Sequence, residues 1–275
     1  MSGHSYKSEF DLTGKTALVT GACGILGAHF CMALAEAGAS VALVDIEGGA
    51  AKEAAKGIAQ AHGGRAIGYG CDVSNEKSVR DVVQQIAHDF GRIDVLHNNA
   101  AAKSSDLDAF FAPFEDYSLS QWREIMSVNL DGVFLMAQAV GRQMIAQGTG
   151  GSIVQTSSIY GLVGPDLRIY EGSSYLGRQI NTPAVYAASK AGILGLTRYL
   201  ATYWAGSNIR VNAIAPGGAE SGQNGEFKSR YSQRVPMGRM ARPSEIAGAL
   251  LYLASDASSY VTGQTIVVDG GLTAW

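Results

Sequence analysis

Tyr186 and Lys190 stand four residues apart in the run Pro183-Ala-Val-Tyr186-Ala-Ala-Ser-Lys190. In a helix that spacing is about one turn, so both side chains project from one face. An ammonium beside a phenol favours the phenolate and lowers the tyrosine pKa from its usual value of about 10. A tyrosine tuned in this way can give or take a proton near neutral pH. The same spacing also fits an amphipathic helix with a surface lysine, so the surrounding elements must decide.

Those elements alternate between strand and helix. Residues 16–20 are a short apolar run closed by glycine, which reads as a buried strand. Helical spacing over 25–37 stops at Gly38. Further strands are expected at 40–45, 65–71, 93–98, 151–157, 209–214 and 265–269. Helices are expected at 50–61, 76–90, 120–147, 184–203 and 243–254. The pattern predicts an α/β fold: one doubly wound parallel sheet of Rossmann type with helices on both faces. Residues 1–275 are read as a single dinucleotide-binding and catalytic domain, because no linker or repeat interrupts the alternation.

A net charge of -3 gives no basic footprint for nucleic acid. No apolar run is long enough for a membrane span, and the first ten residues lack the apolar core of a signal peptide. Cys23, Cys31 and Cys71 are odd in number and lack metal-ligand spacing. They read as free thiols in a reducing compartment, so a cytoplasmic location is expected. The five histidines are scattered and form no ligand cluster.

The turn after the first strand is Thr20-Gly21-Ala-Cys-Gly24-Ile-Leu-Gly27. Glycines there permit a tight turn and close approach of the backbone to a ligand. The helix that follows offers free N–H groups to a pyrophosphate. Asp45 ends the second strand, 18 residues after Gly27. A carboxylate there accepts bonds from ribose hydroxyls and repels a 2′-phosphate, which favours NAD over NADP. The other reading of Asp45 is a cap for the next helix.

Over residues 10–273 these features resemble the short-chain dehydrogenase/reductase family, in its single-domain branch. Thr20–Gly27 matches the family's glycine turn, Cys71-Asp72-Val73 its adenine segment and Asn98-Asn99-Ala100-Ala101 its strand-four motif. Asn129, Ser158, Tyr186 and Lys190 match its catalytic residues. Ala215-Pro216-Gly217 matches its nicotinamide turn, and Val261 to Gly271 its C-terminal signature. The resemblance implies proton exchange at Tyr186, orientation of the substrate oxygen by Ser158, and a ribose-holding Lys190. It also implies a water held by Asn129 and hydride transfer without a metal. Implied cofactor contacts are Gly21, Cys23, Gly24, Ile25, Leu26, Gly27, Asp45, Ile46, Asp72, Val73, Asn99, Ala100, Ala101, Tyr186, Lys190, Pro216, Gly217, Ala219 and Ser221. A homotetramer built on the two long helices and the C-terminal strand is implied as well, with Trp275 expected at a subunit contact.

The chain also departs from the family pattern. Its glycine spacing is Gly-x-x-Gly-x-x-Gly, where the single-domain branch more often has Gly-x-x-x-Gly-x-Gly. Ala101 replaces the usual glycine. Ser158 and Tyr186 lie 28 positions apart, against about a dozen in the family. The added loop, within 161–183, is polar and tyrosine-rich, without helix or strand period. A second polar insertion spans 103–117. Loops at this edge shape substrate pockets. Residues 217–241 read as a mobile lid without a strong core stripe.

Together these features predict a hydride transfer between NAD and a secondary alcohol of a small polar substrate, a sugar, sugar acid or polyol. The alternative is a 3-oxoacyl thioester reductase using NADPH. A third class is a catalytically silent cofactor-binding protein, against which the complete catalytic set argues.

Overall fold

The computed structural model describes residues 6–104 and 106–275. Residues 1–5, part of the segment read as lacking a signal-peptide core, and Ser105 of the polar insertion lie outside the described residues. The chain opens with β1 (Thr16–Thr20), α1 (Ile25–Glu36), β2 (Ser40–Asp45), α2 (Gly48–His62), β3 (Ala66–Gly70), α3 (Glu76–Phe90) and β4 (Val95–Asn98). It continues through α4 (Leu107–Phe110), α5 (Leu119–Met126), α6 (Gly132–Gln147) and β5 (Gly151–Thr156). Then come a small hairpin, β6 (Ser174–Tyr175) and β7 (Arg178–Gln179), and the helix α7 (Ala184–Tyr203). The chain closes with β8 (Ile209–Pro216), α8 (Gly225–Gln233), α9 (Pro243–Ala254) and β9 (Thr265–Val268).

Among the described residues the main sheet has seven strands in the order β3-β2-β1-β4-β5-β8-β9. Its pairings are all parallel. β1 and β4 are buried along their length and β5 from Ser152 onward, as strands covered on both faces must be. One face packs Phe30 and Leu34 of α1 against Ile246 and Leu250 of α9. The other packs Val79 and Ile86 of α3 against Met136 and Val140 of α6 and Leu200 of α7. The strand order reverses direction between β1 and β4, so the crevice at their C-terminal ends is the place for a ligand.

Local signals account for the helix ends. Asn75 Oδ1 accepts from the Ser78 amide at 2.9 Å and starts α3. Pro183 precedes α7, and the Tyr186 amide donates to its carbonyl at 3.0 Å.

Three sequence expectations change. The helix expected over 120–147 is split by a π-helical turn at Ser127–Asp131. The extra residue in that turn re-aims Asn129, whose Oδ1 accepts from the Ala102 amide at 2.8 Å. The loop at 161–183 holds a 3₁₀ turn, Leu167–Tyr170, and the hairpin β6–β7. The segment read as lacking a core stripe carries α8, where Phe227 and the buried Tyr231 share a face one turn apart.

Candidate active site

The glycine turn shows why two of its three glycines are needed. Gly21 has φ +62, a region that side chains disfavour. A Cβ on Gly27 would stand 2.0 Å from Gly21 O, so only glycine lets α1 approach the turn. Gly24 is less constrained and precedes α1 without a side-chain cap, leaving the helix N-terminus open toward an anion. Asn99 joins this turn to the end of β4. Its amide donates to Thr20 Oγ1 at 3.0 Å, and its Nδ2 donates to the Thr20 and Gly21 carbonyls at 3.2 Å each.

Asp45 does not cap α2, whose N-cap is Glu47 without a side-chain cap bond, and its carboxylate reaches back to the glycine turn. Its Oδ2 accepts from the Cys23 amide at 2.9 Å and its Oδ1 from the Glu47 amide at 3.2 Å, just ahead of α2. A carboxylate oxygen accepts more than one hydrogen bond, so capacity for ribose hydroxyls remains. Asp72 makes a local turn, accepting from the Ser74 amide at 2.9 Å.

The three groups expected to handle protons meet where β5 ends and α7 begins. Ser158 starts a 3₁₀ turn, and its Oγ accepts from the Tyr160 amide at 3.2 Å. Lys190 is buried, its Nζ donating to the Thr156 carbonyl at 2.9 Å and lying 5.7 Å from the Tyr186 ring centroid. Ser157 Oγ donates to the Lys190 carbonyl at 2.8 Å and locks strand to helix.

The expected lowering of the Tyr186 pKa is corrected by the structure. Burial pushes the phenol up, the Ser158 hydroxyl pulls it back and Tyr170 adds to the rise. The reason is the phenol's own desolvation. Lys190 is desolvated as well, and burial brings its pKa down to about 8.

These groups line a single cleft of about 900 Å³. It takes in Gly21, Cys23, Gly24, Ile25, Leu26, Gly27, Asp45, Ile46, Asp72 and Val73 from the first half of the sheet. From the second half it takes in Asn99, Ala100, Ala101, Ser158, Tyr186, Lys190, Pro216, Gly217, Ala219 and Ser221. Asn129 alone of the expected residues stands outside it, fully buried beneath Ala102. Glu47, Lys103, Val128, Thr156 and Ser157 line the cleft but were missed. Thr156 and Ser157 could have been found, since they finish the strand that delivers Ser158.

The cleft fits a nicotinamide dinucleotide. Its glycine cradle cannot take a Cβ at Gly27, a helix N-terminus opens on it, and the Asp45 carboxylate lines it. Its acidic members include Asp45 and Glu47, and its cations are Lys103 and Lys190.

Comparison with known proteins agrees with this geometry. Residues 21–273 match the family model described as Enoyl-(Acyl carrier protein) reductase. A D-threitol dehydrogenase of Mycolicibacterium smegmatis is 38% identical, over 96% of this chain and 95% of that protein. A 3-oxoacyl-[acyl-carrier-protein] reductase of Thermotoga maritima is also 38% identical, over 95% of this chain and 98% of that protein. The crystal structure of a gluconate 5-dehydrogenase from Burkholderia cenocepacia, in complex with NADP and tartrate, superposes with a TM-score of 0.85. It shares 34% identity and covers 98% of each chain. The chain belongs to the short-chain dehydrogenase/reductase family. It is an oxidoreductase acting on alcohol groups, with a nicotinamide dinucleotide as cofactor. Among the described residues, no helix is long and apolar enough to cross a membrane.

Proposed function

We propose that this protein is an NAD-dependent dehydrogenase of a polar secondary alcohol, a sugar, sugar acid or polyol, with Tyr186 as general acid and base. The observation that carries the reading is the meeting of Ser158, Tyr186 and Lys190 in the cleft that also holds the glycine turn and Asp45. When bound, the nicotinamide ring accepts or supplies the hydride. The protein's own part is the proton. Tyr186 takes it from the substrate hydroxyl in oxidation and returns it in reduction. Ser158 Oγ hydrogen-bonds the substrate oxygen and holds it beside the phenol. Lys190, with a pKa of about 8, is largely an ammonium at neutral pH and favours the phenolate once formed. The Asn129 Nδ2 is buried without a protein partner, which supports a water at that point, between the π-turn and the catalytic helix.

Asp45 and Glu47 on the cleft wall support NAD over NADP, since both repel a 2′-phosphate. A second reading, a 3-oxoacyl thioester reductase using NADPH, draws on the Thermotoga relative, as similar as the D-threitol enzyme. The acidic cofactor rim and the polar insertions favour the dehydrogenase. The lid role of residues 217–241 and the substrate role of 161–183 belong to the same proposal, as does a cytoplasmic setting. We assign a homotetramer in which the exposed Tyr199 and Tyr203 of α7 and the exposed Trp275 meet partner copies.

The test is a panel of sugars, sugar acids, polyols and a 3-oxoacyl thioester, assayed with NAD(H) and NADP(H). Oxidation of a polyhydroxy compound with NAD is expected. Activity confined to the thioester with NADPH would overturn both the substrate and the coenzyme assignment.

A further inference from the structure

The turn at the end of β8 is held from behind by one side chain of α8. β8 lies beside β5, and the Ser157 amide donates to the Ile214 carbonyl at 2.8 Å. Pro216 and Gly217 then line the cleft on the side of Ser158, whereas Asp45 lines it from β2, on the other side of β1. The hydride passes to or from the carbon whose oxygen Tyr186 and Ser158 serve. The nicotinamide half of a bound dinucleotide therefore belongs at the β5–β8 end of the cleft.

Most of the turn is fixed by backbone. The Gly217 amide donates to the Val268 carbonyl at 2.9 Å, and the Gly218 carbonyl accepts from the Ala241 amide at 2.9 Å. The Gly218 amide differs, because it donates to a side chain, the hydroxyl of Tyr231. Tyr231 is buried, and burial pushes its phenol up to about 12, so this acceptor stays uncharged near neutral pH. Its ring also packs against the turn. A Cβ on Gly218 would stand 2.6 Å from Tyr231 Cζ, and one on Gly217 would stand 3.1 Å from the Tyr231 hydroxyl oxygen. Tyr231 is braced in its own place. Phe227, one helical turn earlier, stacks on it with centroids 5.8 Å apart, and Tyr170 of the inserted loop stacks on Phe227 at 5.5 Å. None of these three rings lines the cleft, so their effect on it passes through the turn.

We propose that Tyr231 is a positioning residue. Its hydroxyl, braced by Phe227 and Tyr170, fixes the Gly217-Gly218 turn and through it the seat of the nicotinamide half of the coenzyme. Without that hydroxyl the Gly218 amide faces a ring edge that accepts no hydrogen bond, a cost the turn relieves by moving. The inference rests on the coenzyme occupying this cleft, and it holds for a dehydrogenase and a thioester reductase alike.

The experiment compares the binding of NADH with that of ADP-ribose, which lacks the nicotinamide, to wild type, Tyr231→Phe and Phe227→Leu. Tyr231→Phe should weaken NADH by about tenfold and leave ADP-ribose within about twofold of wild type. Without coenzyme, backbone hydrogen exchange should quicken in the peptide holding Gly217 and Gly218, and stay as in wild type at the glycine turn after β1. Phe227→Leu should show the same pattern to a smaller degree, and it carries the test if Tyr231→Phe fails to fold by circular dichroism. Equal weakening of both ligands, unchanged NADH binding or unchanged exchange at Gly217 and Gly218 would each overturn the inference and leave the dehydrogenase reading standing. A wild type that binds neither ligand would sink the coenzyme reading of the cleft and the inference with it.

Discussion

Lys190 Nζ donates to the Thr156 carbonyl at 2.9 Å, tying the catalytic helix to the end of the strand that delivers Ser158. The same bond holds an ammonium in a buried place, and desolvation lowers its pKa from 10.5 to about 8. The sign of the pH effect follows. Below pH 8 the folded protein bears the full cost of the buried charge. Between 8 and 10.5 the folded lysine has lost its proton while the unfolded one keeps it, so the cost fades. Wild type should therefore gain stability relative to Lys190→Met as pH rises through this window, by on the order of 3 kcal/mol. Denaturant unfolding of both proteins, without coenzyme, at a series of pH values measures this. A difference independent of pH would contradict it.

His97 predicts the opposite limb. It is fully buried in β4, edge-on to Phe30 at 4.4 Å, and desolvation lowers its pKa to about 3. Below its ordinary value of 6.5 the unfolded chain takes up a proton that the folded one refuses. Stability should fall as pH drops from 6.5 toward 3, and His97→Gln should fall less steeply over that range. Thermal unfolding of the two proteins in acid buffers gives the comparison, and parallel curves would refute it.

Asp45 should control coenzyme choice. Replacing it by Asn keeps an acceptor for the Cys23 amide, 2.9 Å away, but removes the charge facing a 2′-phosphate. The ratio of kcat/KM for NAD over NADP should fall by about tenfold or more. Adding Ile46→Arg should lower it further, because a guanidinium binds phosphate. An unchanged ratio in the double variant would show that the preference is set elsewhere.

Much of this was readable before the fold was known. The parallel sheet followed from short, continuously apolar strands, and the cleft followed from glycines and polar groups at the strand ends. The hidden parts share a cause: they depend on few residues. The hairpin has two-residue strands, and its turn places Leu176 at φ 50, where asparagine or glycine would have signalled it. In α8 the buried face rests on Tyr231, with Phe227 partly buried beside it, too little for a periodic stripe. The π-turn has no sequence signature, since one extra residue leaves the apolar pattern of the long helix nearly intact. The pKa of Tyr186 was misjudged because neighbours four residues apart reveal proximity but not burial.

Gly27 and Gly49 offer a paired test of the cradle. A Cβ at Gly27 would meet Gly21 O at 2.0 Å, whereas at Gly49 nothing lies within 4 Å. Gly27→Ala should cost about 1–3 kcal/mol and abolish coenzyme binding. Gly49→Ala, in the first turn of α2, should be neutral or stabilising by up to about 1 kcal/mol. Unfolding curves and coenzyme titration separate the two, and a Gly27→Ala protein that binds NADH normally would contradict the packing account.

The proton role of Tyr186 is tested most directly by Tyr186→Phe, measured for both turnover and coenzyme affinity. Loss of the hydroxyl should lower kcat by about a hundredfold to ten-thousandfold. NADH binding, followed by fluorescence, should stay near the wild-type value, because the glycine turn and Asp45 are untouched. A variant that turns over within a few fold of wild type would show that the proton travels by another group.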